Sequence, residues 1–220
     1  MKIYRLCITA VLMASTFSSF AQMSQQLDLH KMAKDSGLEV YNRELSLINE
    51  SGHRGISLSK DLGEGIAWLK GIEFSNGIIE FDVRGENIKQ HSFVGLAFHA
   101  KDNDTFDAIY LRPFQFQEDE PLKSRAIQYI SLPDHTWQIL RENSPGKYEH
   151  SIVPTAPDPN SWMRMRIVIK DSTVTTYING SASPTLVIRK VTKVKSGAIG
   201  FYVADTSGGD FANITITKEK

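Results

Sequence analysis

Apolar and polar residues alternate along most of the chain, which is the pattern of β-strands that bury one face. The clearest case is the run IIEFDVR at 78–84, where every second position is apolar. An Asn-Gly pair at 76–77 precedes it and is typical of a tight turn, so we predict that 67–74 and 78–84 form a hairpin. Similar patterns predict further strands at 39–48, 55–59, 93–100, 106–116, 126–131, 163–170, 173–178, 185–190, 198–204 and 211–217.

These strands and their short connections predict an all-β fold, a two-sheet antiparallel β-sandwich of the jelly-roll type. Helical signals are weak: one lies at 26–33, with Gly37 to end it, and one further turn lies at 137–142. No linker rich in Pro, Gly or Ser divides the chain, so we expect one domain over 23–220.

The first 22 residues have a short basic start and then an apolar stretch at 6–20. This pattern predicts a secretory signal peptide at 1–22. The stretch is too short and too interrupted by Ser and Thr to favour a membrane span. We therefore expect an exported protein, periplasmic or secreted. The only cysteine is Cys7, so the mature chain would contain no disulfide.

Charge gives little indication of a charged partner. The chain has 25 basic and 25 acidic residues, and loss of Lys2 and Arg5 with the signal would leave a net charge of −2. Since no segment is strongly basic, neither nucleic acid nor an anionic membrane is expected as a partner.

The segment 92–141 carries polar and aromatic residues that apolar packing alone does not require. Arginine offers paired planar donors for vicinal hydroxyls or a carboxylate, and Tyr and Trp offer apolar faces with a polar edge. We therefore predict a binding face for a polar ligand such as a sugar. Its candidate residues are His99, Tyr110, Arg112, Gln115, Gln128 and Trp137.

Each candidate also has a purely structural interpretation. Arg112 would then form an ion pair with Asp107 or Glu118. His99 would be a hydrogen-bonded strand histidine, and Trp137 would pack onto the sandwich. The sequence leaves both interpretations open.

Glu80 and Asp82 share one face of the strand predicted at 78–84, as the paired carboxylates of a glucanase would. Arg84 lies on the same face and would lower their pKa values, which suits a general acid poorly. We therefore expect a solvated, ion-paired face here and not a catalytic pair.

No motif requires a cofactor. The histidines are scattered without the short spacing of metal ligands. The run at 102–104, Asp-Asn-Asp, lacks the Gly and the distal Glu of an EF-hand loop.

The runs GIIEFDV, FVGLAFHAKDNDTFDAIYLRPF and QYISLPDHTWQILR, followed by PDPNSWMRMRIVI, YING, GAIGFY and GDFANI, resemble the concanavalin A-like lectin/glucanase superfamily. Within it the chain is most similar to laminin-G-like bacterial domains and the 3-keto-disaccharide hydrolase-like group. The resemblance covers roughly residues 55–217. It implies a concanavalin A-like jelly roll, and it says little about activity because one fold hosts many functions. Because related folds often carry a structural calcium at a sheet edge, the resemblance also implies a calcium site with Asp210 as a candidate ligand.

Three functions remain open. The first is a lectin-like module that recognises a glycan or sugar derivative through the candidate residues. The second, implied by the resemblance, is a hydrolase acting on glycosides or 3-keto-disaccharides, with His99 or Asp107 as the base and Arg112 stabilising negative charge. The third is an adhesive module that binds another protein.

Overall fold

A computed structural model describes residues 23–50 and 52–219. It consists of one eight-stranded and one seven-stranded antiparallel sheet, so the predicted all-β, two-sheet sandwich is confirmed. The signal peptide predicted at 1–22 lies outside the described residues. Neither helix in the described ranges has the length and apolar character needed to cross a bilayer.

In the eight-stranded sheet, the long last strand of the chain pairs with three other strands. In spatial order its strands are β13 (Leu186–Arg189), β12 (Thr173–Ile178), β11 (Met163–Lys170), β6 (Gly77–Arg84), β15 (Gly209–Lys218), β4 (His53–Leu58) and β3 (Leu45–Glu50), with β1 (Met23–Gln26) also paired to β15. The outer face of β6 carries the expected ion pairs. Asp82 and Glu80 lie opposite Arg164 and Arg166 of β11, at 3.2 and 3.9 Å.

The seven-stranded sheet carries most of the segment 92–141. In spatial order its strands are β10 (Glu149–His150), β9 (Ile127–Leu132), β8 (Phe106–Leu111), β7 (Val94–Ala100), β14 (Gly197–Val203), β5 (Gly65–Phe74) and β2 (Leu38–Tyr41). All of its residues from 94 to 100 and from 106 to 111 are buried. Since successive residues of a strand face opposite ways, both faces of this part of the sheet are covered.

The main core lies between the two sheets, where apolar residues of β6, β11 and β15 meet those of β7, β8 and β14. Phe81 and Phe211 of the eight-stranded sheet pack against Phe201, with ring centroids 5.7 and 4.7 Å from it. All three rings are fully buried. This packing fixes the seven-stranded sheet and so positions whatever its outer face carries.

The predicted hairpin of 67–74 with 78–84 is wrong. β5 lies in the seven-stranded sheet, whereas β6 lies in the other sheet between β11 and β15. The Asn-Gly pair is a turn, but it carries the chain from one sheet to the other. Asn76 fixes this crossing, because its side chain accepts from the Asp171 amide and its carbonyl accepts from the Glu219 amide.

Two short helices lie outside the sheets, close to the predicted positions. Helix α1 spans Leu29–Lys34, and the Gly37 amide donates to the Met32 carbonyl at its end. Helix α2 spans Trp137–Asn143, and the Thr136 hydroxyl caps it by accepting from the Ile139 amide at 3.4 Å. Helix α2 packs beside β9, so it places its side chains over the outer face of the seven-stranded sheet.

Candidate functional site

A row of side chains crosses the outer face of the seven-stranded sheet. Neighbouring strands place Tyr202, Gly95, Tyr110, Gln128 and Glu149 opposite one another in that order. Gly95 has no room for a Cβ, which would lie 2.0 Å from a backbone oxygen of β8. Gly95 lies between the two tyrosines in this row, and their ring centroids are 5.8 Å apart. The tyrosines therefore form an aromatic layer across β7.

A cavity of about 680 Å³ lies above this layer. Tyr110, Tyr202 and Phe93 form part of its floor, and helix α2 and the loops around the sheet form its walls. This volume is within the range that pockets for small ligands occupy. The sequence prediction of a binding face at this sheet therefore coincides with an actual concave site.

Arg112 lies at the base of the cavity and is only 4% exposed. One of its terminal nitrogens donates to the Arg125 carbonyl at 2.8 Å and the other to the Tyr110 hydroxyl at 2.9 Å. Both also contact the Gln128 side-chain oxygen at 3.3 Å. Gln128 is held in turn because its amide donates to the carbonyls of Tyr129 and Tyr148. The guanidinium is thus rigidly oriented.

The ion pair of Arg112 with Asp107 or Glu118, which the sequence left open, is absent among the described residues. Asp107 and Arg112 lie an odd number of residues apart along the strand, so their side chains leave opposite faces of the sheet. The acceptors that hold Arg112 are all neutral. Burial lowers the pKa of its guanidinium from the ordinary value.

Helix α2 adds two side chains to the cavity wall, one helical turn apart. Trp137 is 38% exposed, and its ring lies 5.8 Å from the Arg112 guanidinium carbon and 4.6 Å from that of Arg141. Arg141 is fixed by Glu149, to which its Nε donates at 2.9 Å. The indole therefore offers an apolar face beside charged donors.

Gln115 follows β8 in a 3-10 turn at Pro113–Gln115. The strand predicted at 106–116 ends early, at Leu111, because Pro113 has no amide to donate to a neighbouring strand. With its amide nitrogen turned toward them, Gln115 donates to the carbonyls of Leu122 and Arg125. It lines the cavity and orders the loop that carries Arg125.

The opposite wall carries an acid that sequence analysis did not single out. Glu64 precedes β5 and accepts a hydrogen bond from the Tyr202 hydroxyl. Burial raises the pKa of the Glu64 carboxyl, although the Tyr202 hydrogen bond opposes this. Asp205 and His91 lie on the same wall, where Asp205 accepts from the Gly63 amide and His91 contacts the Thr206 hydroxyl.

His99 and Asp107 lie elsewhere, in a buried cluster toward one end of the sandwich. Lys190, whose side chain is 1% exposed, bonds the His99 Nδ1 at 2.6 Å and the Asp107 carboxylate at 3.0 Å. Asp107 also accepts from Tyr129, and the other nitrogen of His99 contacts the Ser75 carbonyl. These partners are internal, and neither candidate base lines the cavity that contains Arg112.

The weak calcium candidate lies on the other sheet. Asp210 accepts from Nε and Nη2 of Arg84, which also contacts Glu50. Within residues 23–50 and 52–219, no three His, Cys, Asp or Glu side chains converge in a way that would hold a metal ion. A calcium bound through Asp210 stays a prediction from the sequence.

Of the six predicted ligand residues, four line the cavity: Tyr110, Arg112, Gln115 and Trp137. Gln128 supports Arg112 from behind, and His99 is separate. Glu64 and Arg141 also line the cavity, and the sequence patterns did not identify either as a site residue. The spacing of Trp137 and Arg141 at i and i+4 is a signal that could have identified the arginine. No local signal marks Glu64, since only the fold brings it to the cavity.

Solved structures similar to this chain support the fold. Carbohydrate-binding module CBM66 from Bacillus subtilis has a TM-score of 0.60 at 13% identity, over 82% of this chain and 95% of that one. A native glycosidic hydrolase has a TM-score of 0.57 at 11% identity, over 90% and 97%. The exoplasmic/lumenal domain of VIP36, bound to Ca²⁺ and Man3GlcNAc, has a TM-score of 0.51 at 12% identity, over 84% of each chain.

These identities are low, so the likeness shows a shared sandwich fold and no more. No curated protein matches the sequence. One protein-family comparison matches most of the chain, residues 35–217, and that family is described as a 3-keto-alpha-glucoside-1,2-lyase-like domain. The match confirms the resemblance inferred from the sequence motifs. The chain therefore belongs to the 3-keto-alpha-glucoside-1,2-lyase-like domain family.

Proposed function

We propose that this protein is an exported, lectin-like carbohydrate-binding module whose ligand occupies the cavity above the seven-stranded sheet. The observation that carries the proposal is the pairing of a rigid, buried Arg112 with the exposed indole of Trp137 in one concave site. The fold is shared with proteins whose names state carbohydrate binding or glycoside hydrolysis, which is consistent with this proposal.

The chemistry of the site suits a sugar. A pyranose ring has an apolar C–H face that packs against an indole, and hydroxyls that accept hydrogen bonds from arginine. Because Gln128 and Tyr110 already hold the guanidinium, little side-chain entropy would be lost on binding. Polar groups fixed in a mostly prebuilt pocket are typical of small-molecule sites.

A glycan array probed with residues 23–220, followed by calorimetry on the best ligand, tests this proposal. We expect Trp137→Ala to weaken binding about tenfold or more, as removal of an aromatic anchor does. Trp162→Ala is a matched control, because Trp162 also lies beside an arginine, Arg84 at 4.7 Å, but immediately precedes β11 of the other sheet. Equal loss in both variants, or no glycan bound at all, contradicts the proposal.

Export is a separate part of the proposal. Residues 1–22 have the composition of a secretory signal, and 23–220 contain no cysteine to protect or pair. N-terminal sequencing of the protein recovered from periplasm or medium should give a start near residue 23. Recovery of the full-length chain from the cytoplasm alone would contradict it.

A second function, an enzyme acting on keto-sugars, is favoured by one specific observation. Glu64 lies on the cavity wall, where burial raises the pKa of its carboxyl above the ordinary value, and a raised pKa makes a carboxyl a stronger base for proton transfer. The family is described as 1,2-lyase-like. In an elimination next to a ketone, a base removes the proton beside the carbonyl, the enolate is stabilised, and the bond to the glycosidic oxygen breaks so that this oxygen leaves with the second sugar. In this chain Glu64 would be the base and Arg112 would stabilise the negative charge.

A turnover assay on 3-keto-glycosides tests this second function. We expect activity in the parent, a loss of about a hundredfold or more in Glu64→Gln, and an unchanged rate in Glu80→Gln on the other sheet. Glycan binding without any turnover would leave the chain as a binding module. Turnover that Glu64→Gln does not reduce would remove this residue from the mechanism.

A further inference from the structure

The cavity has two walls of opposite charge. Arg112, Arg125 and Arg141 lie beside β8 and β9, whereas Glu64 and Asp205 lie beside β5 and β14. Strand β7 separates β8 from β14 in the sheet, so the two groups are on different sides of the floor. A ligand that spans the cavity therefore meets cations at one end and carboxyls at the other.

The basic wall has more positive charge than its own carboxylates balance. Glu149 is buried and is the carboxylate that bonds Arg141, and its nearest oxygen lies 4.0 Å from Nε of Arg125. Arg112 forms no ion pair within 4.0 Å in the described part of the chain. One carboxylate thus faces three guanidinium groups.

The charge of Arg112 is the least compensated of the three. Its acceptors are a carbonyl, a phenol and an amide, and its Nε donates to no described residue. The positive charge of Arg141 further disfavours the charged form of Arg112 and so lowers its pKa. A buried cation with only neutral partners is costly, and a charged acceptor beside it recovers more free energy than a neutral hydroxyl does.

We infer that the sugar bound in this cavity carries a carboxylate, as a uronic acid does, and that the carboxylate lies at the arginine wall. This inference rests on the proposed sugar-binding function and specifies its ligand class. The sugar ring would pack on the exposed part of Trp137, whose ring lies 5.8 Å from the Arg112 guanidinium carbon and 4.6 Å from that of Arg141. The opposite wall, which carries Glu64 and Asp205, has no arginine or lysine among the described residues that line the cavity, so the carboxylate would orient toward the arginine wall.

Calorimetry with matched oligosaccharides tests the ligand class. The probes are oligosaccharides of glucuronic, galacturonic and mannuronic acid, the same oligosaccharides with their carboxyl groups reduced to alcohols, and a sulfated neutral oligosaccharide. We expect at least one uronate to bind about tenfold or more tighter than its reduced form, the equivalent of one charge-assisted hydrogen bond. The difference should shrink as salt rises from about 50 mM to about 500 mM.

The outcomes separate this inference from the proposed function. If a reduced oligosaccharide binds as tightly as its uronate, the sugar site stands and the carboxylate inference fails. If only the sulfated probe binds, a different anion is recognised and the inference also fails. If none of these probes binds but a neutral glycan of the array does, the inference alone fails. If no glycan binds at all, both the inference and the proposed function are overturned.

A variant at the rim avoids the risk that an Arg112 variant fails to fold. Arg125 is partly exposed, with 28% of its side chain accessible. We expect Arg125→Gln to lower uronate affinity severalfold while leaving affinity for the reduced form unchanged. Arg54→Gln, which breaks only an exposed pair with Asp28 on the other sheet, is the matched control. Equal effects of Arg125→Gln on both forms would overturn the inference.

Discussion

At the scale of single residues, the buried Lys190 binds both candidate bases, His99 and Asp107. Asp107→Asn would remove the carboxylate of Asp107, which is 2% exposed, and would leave the ammonium of Lys190 buried without an ionic partner. We expect a loss of about 3 kcal/mol or more in the free energy of unfolding, as when one partner of a buried pair is removed. Urea unfolding measures it. Asp35→Asn, at an exposed pair with Lys31, should leave the midpoint unchanged, and similar losses in the two variants would refute this role.

Glu64 should give the protein a pH dependence of a definite sign. Its pKa is raised in the folded state, so between the unfolded and folded values the folded chain binds more protons, and stability falls as pH rises through that window. Glu64→Gln removes this titration and keeps an acceptor for Tyr202. We therefore expect the variant to match the parent below the window and to be more stable above it.

Thermal unfolding from about pH 2 to about pH 8 samples both sides of the ordinary glutamate pKa. Glu50→Gln provides a control of opposite sign, because Arg84 lowers the pKa of Glu50 and its contribution is lost as pH falls. A Glu64→Gln variant that is less stable than the parent at neutral pH would show that the carboxylate is favoured in the fold.

Sequence chemistry identified the residues of the site better than their roles. Tyr110, Arg112 and Trp137 were predictable because each is an unusual side chain in an apolar context. Asp107 was a poor candidate base for a reason already present in the sequence, since it alternates out of phase with Tyr110 on the same strand. Glu64 could not be predicted, because its neighbour Tyr202 is 138 residues away along the chain.

At the scale of elements, the short helix α2 positions the basic wall. Its first turn is capped by Thr136, and substitution of a capping threonine by alanine costs about 1 kcal/mol. We expect Thr136→Ala to lower stability by about that amount and to weaken glycan binding, because Trp137 and Arg141 would be less fixed. Thr173→Ala, at an exposed position of β12, is the control for both measurements. Unchanged affinity would mean that the cap does not order the site.

Strand existence was predictable, and strand partners were not. The segments 163–170 and 173–178 occur as predicted because their period-two pattern is clear and a tight turn joins them. The Asn-Gly signal at 76–77 was equally strong, but a turn signal does not say which sheet the next strand joins. The strand predicted at 39–48 is two strands, β2 and β3, because Asn42 adopts a positive φ of 51° between them.

At the scale of the whole molecule, stability depends on packing between the two sheets and not on covalent links. Residues 23–220 contain no cysteine, so a reducing agent has no bond to break. We expect identical unfolding midpoints for this segment with and without dithiothreitol, measured by circular dichroism. A shift of several degrees on reduction would contradict this view of the molecule.

The distribution of exposed apolar residues among the described residues favours a confined binding site over an adhesive protein-binding face. The large exposed apolar residues are spread over separate segments, with Leu47 on β3, Val187 on β13, and Trp137 with Ile139 on α2. Protein-binding surfaces usually present a contiguous apolar patch. Among the described residues, the feature that combines concavity, an exposed aromatic and fixed charge is the cavity above the seven-stranded sheet.

A crystal structure of residues 23–220 with the tightest-binding glycan from the array would show where the ligand lies. We expect a sugar ring against the Trp137 indole and a polar group of the ligand within hydrogen-bond distance of Arg112 or its neighbouring arginines. A glycan bound to the eight-stranded sheet, with the cavity above Tyr110 and Tyr202 left to solvent, would contradict this expectation.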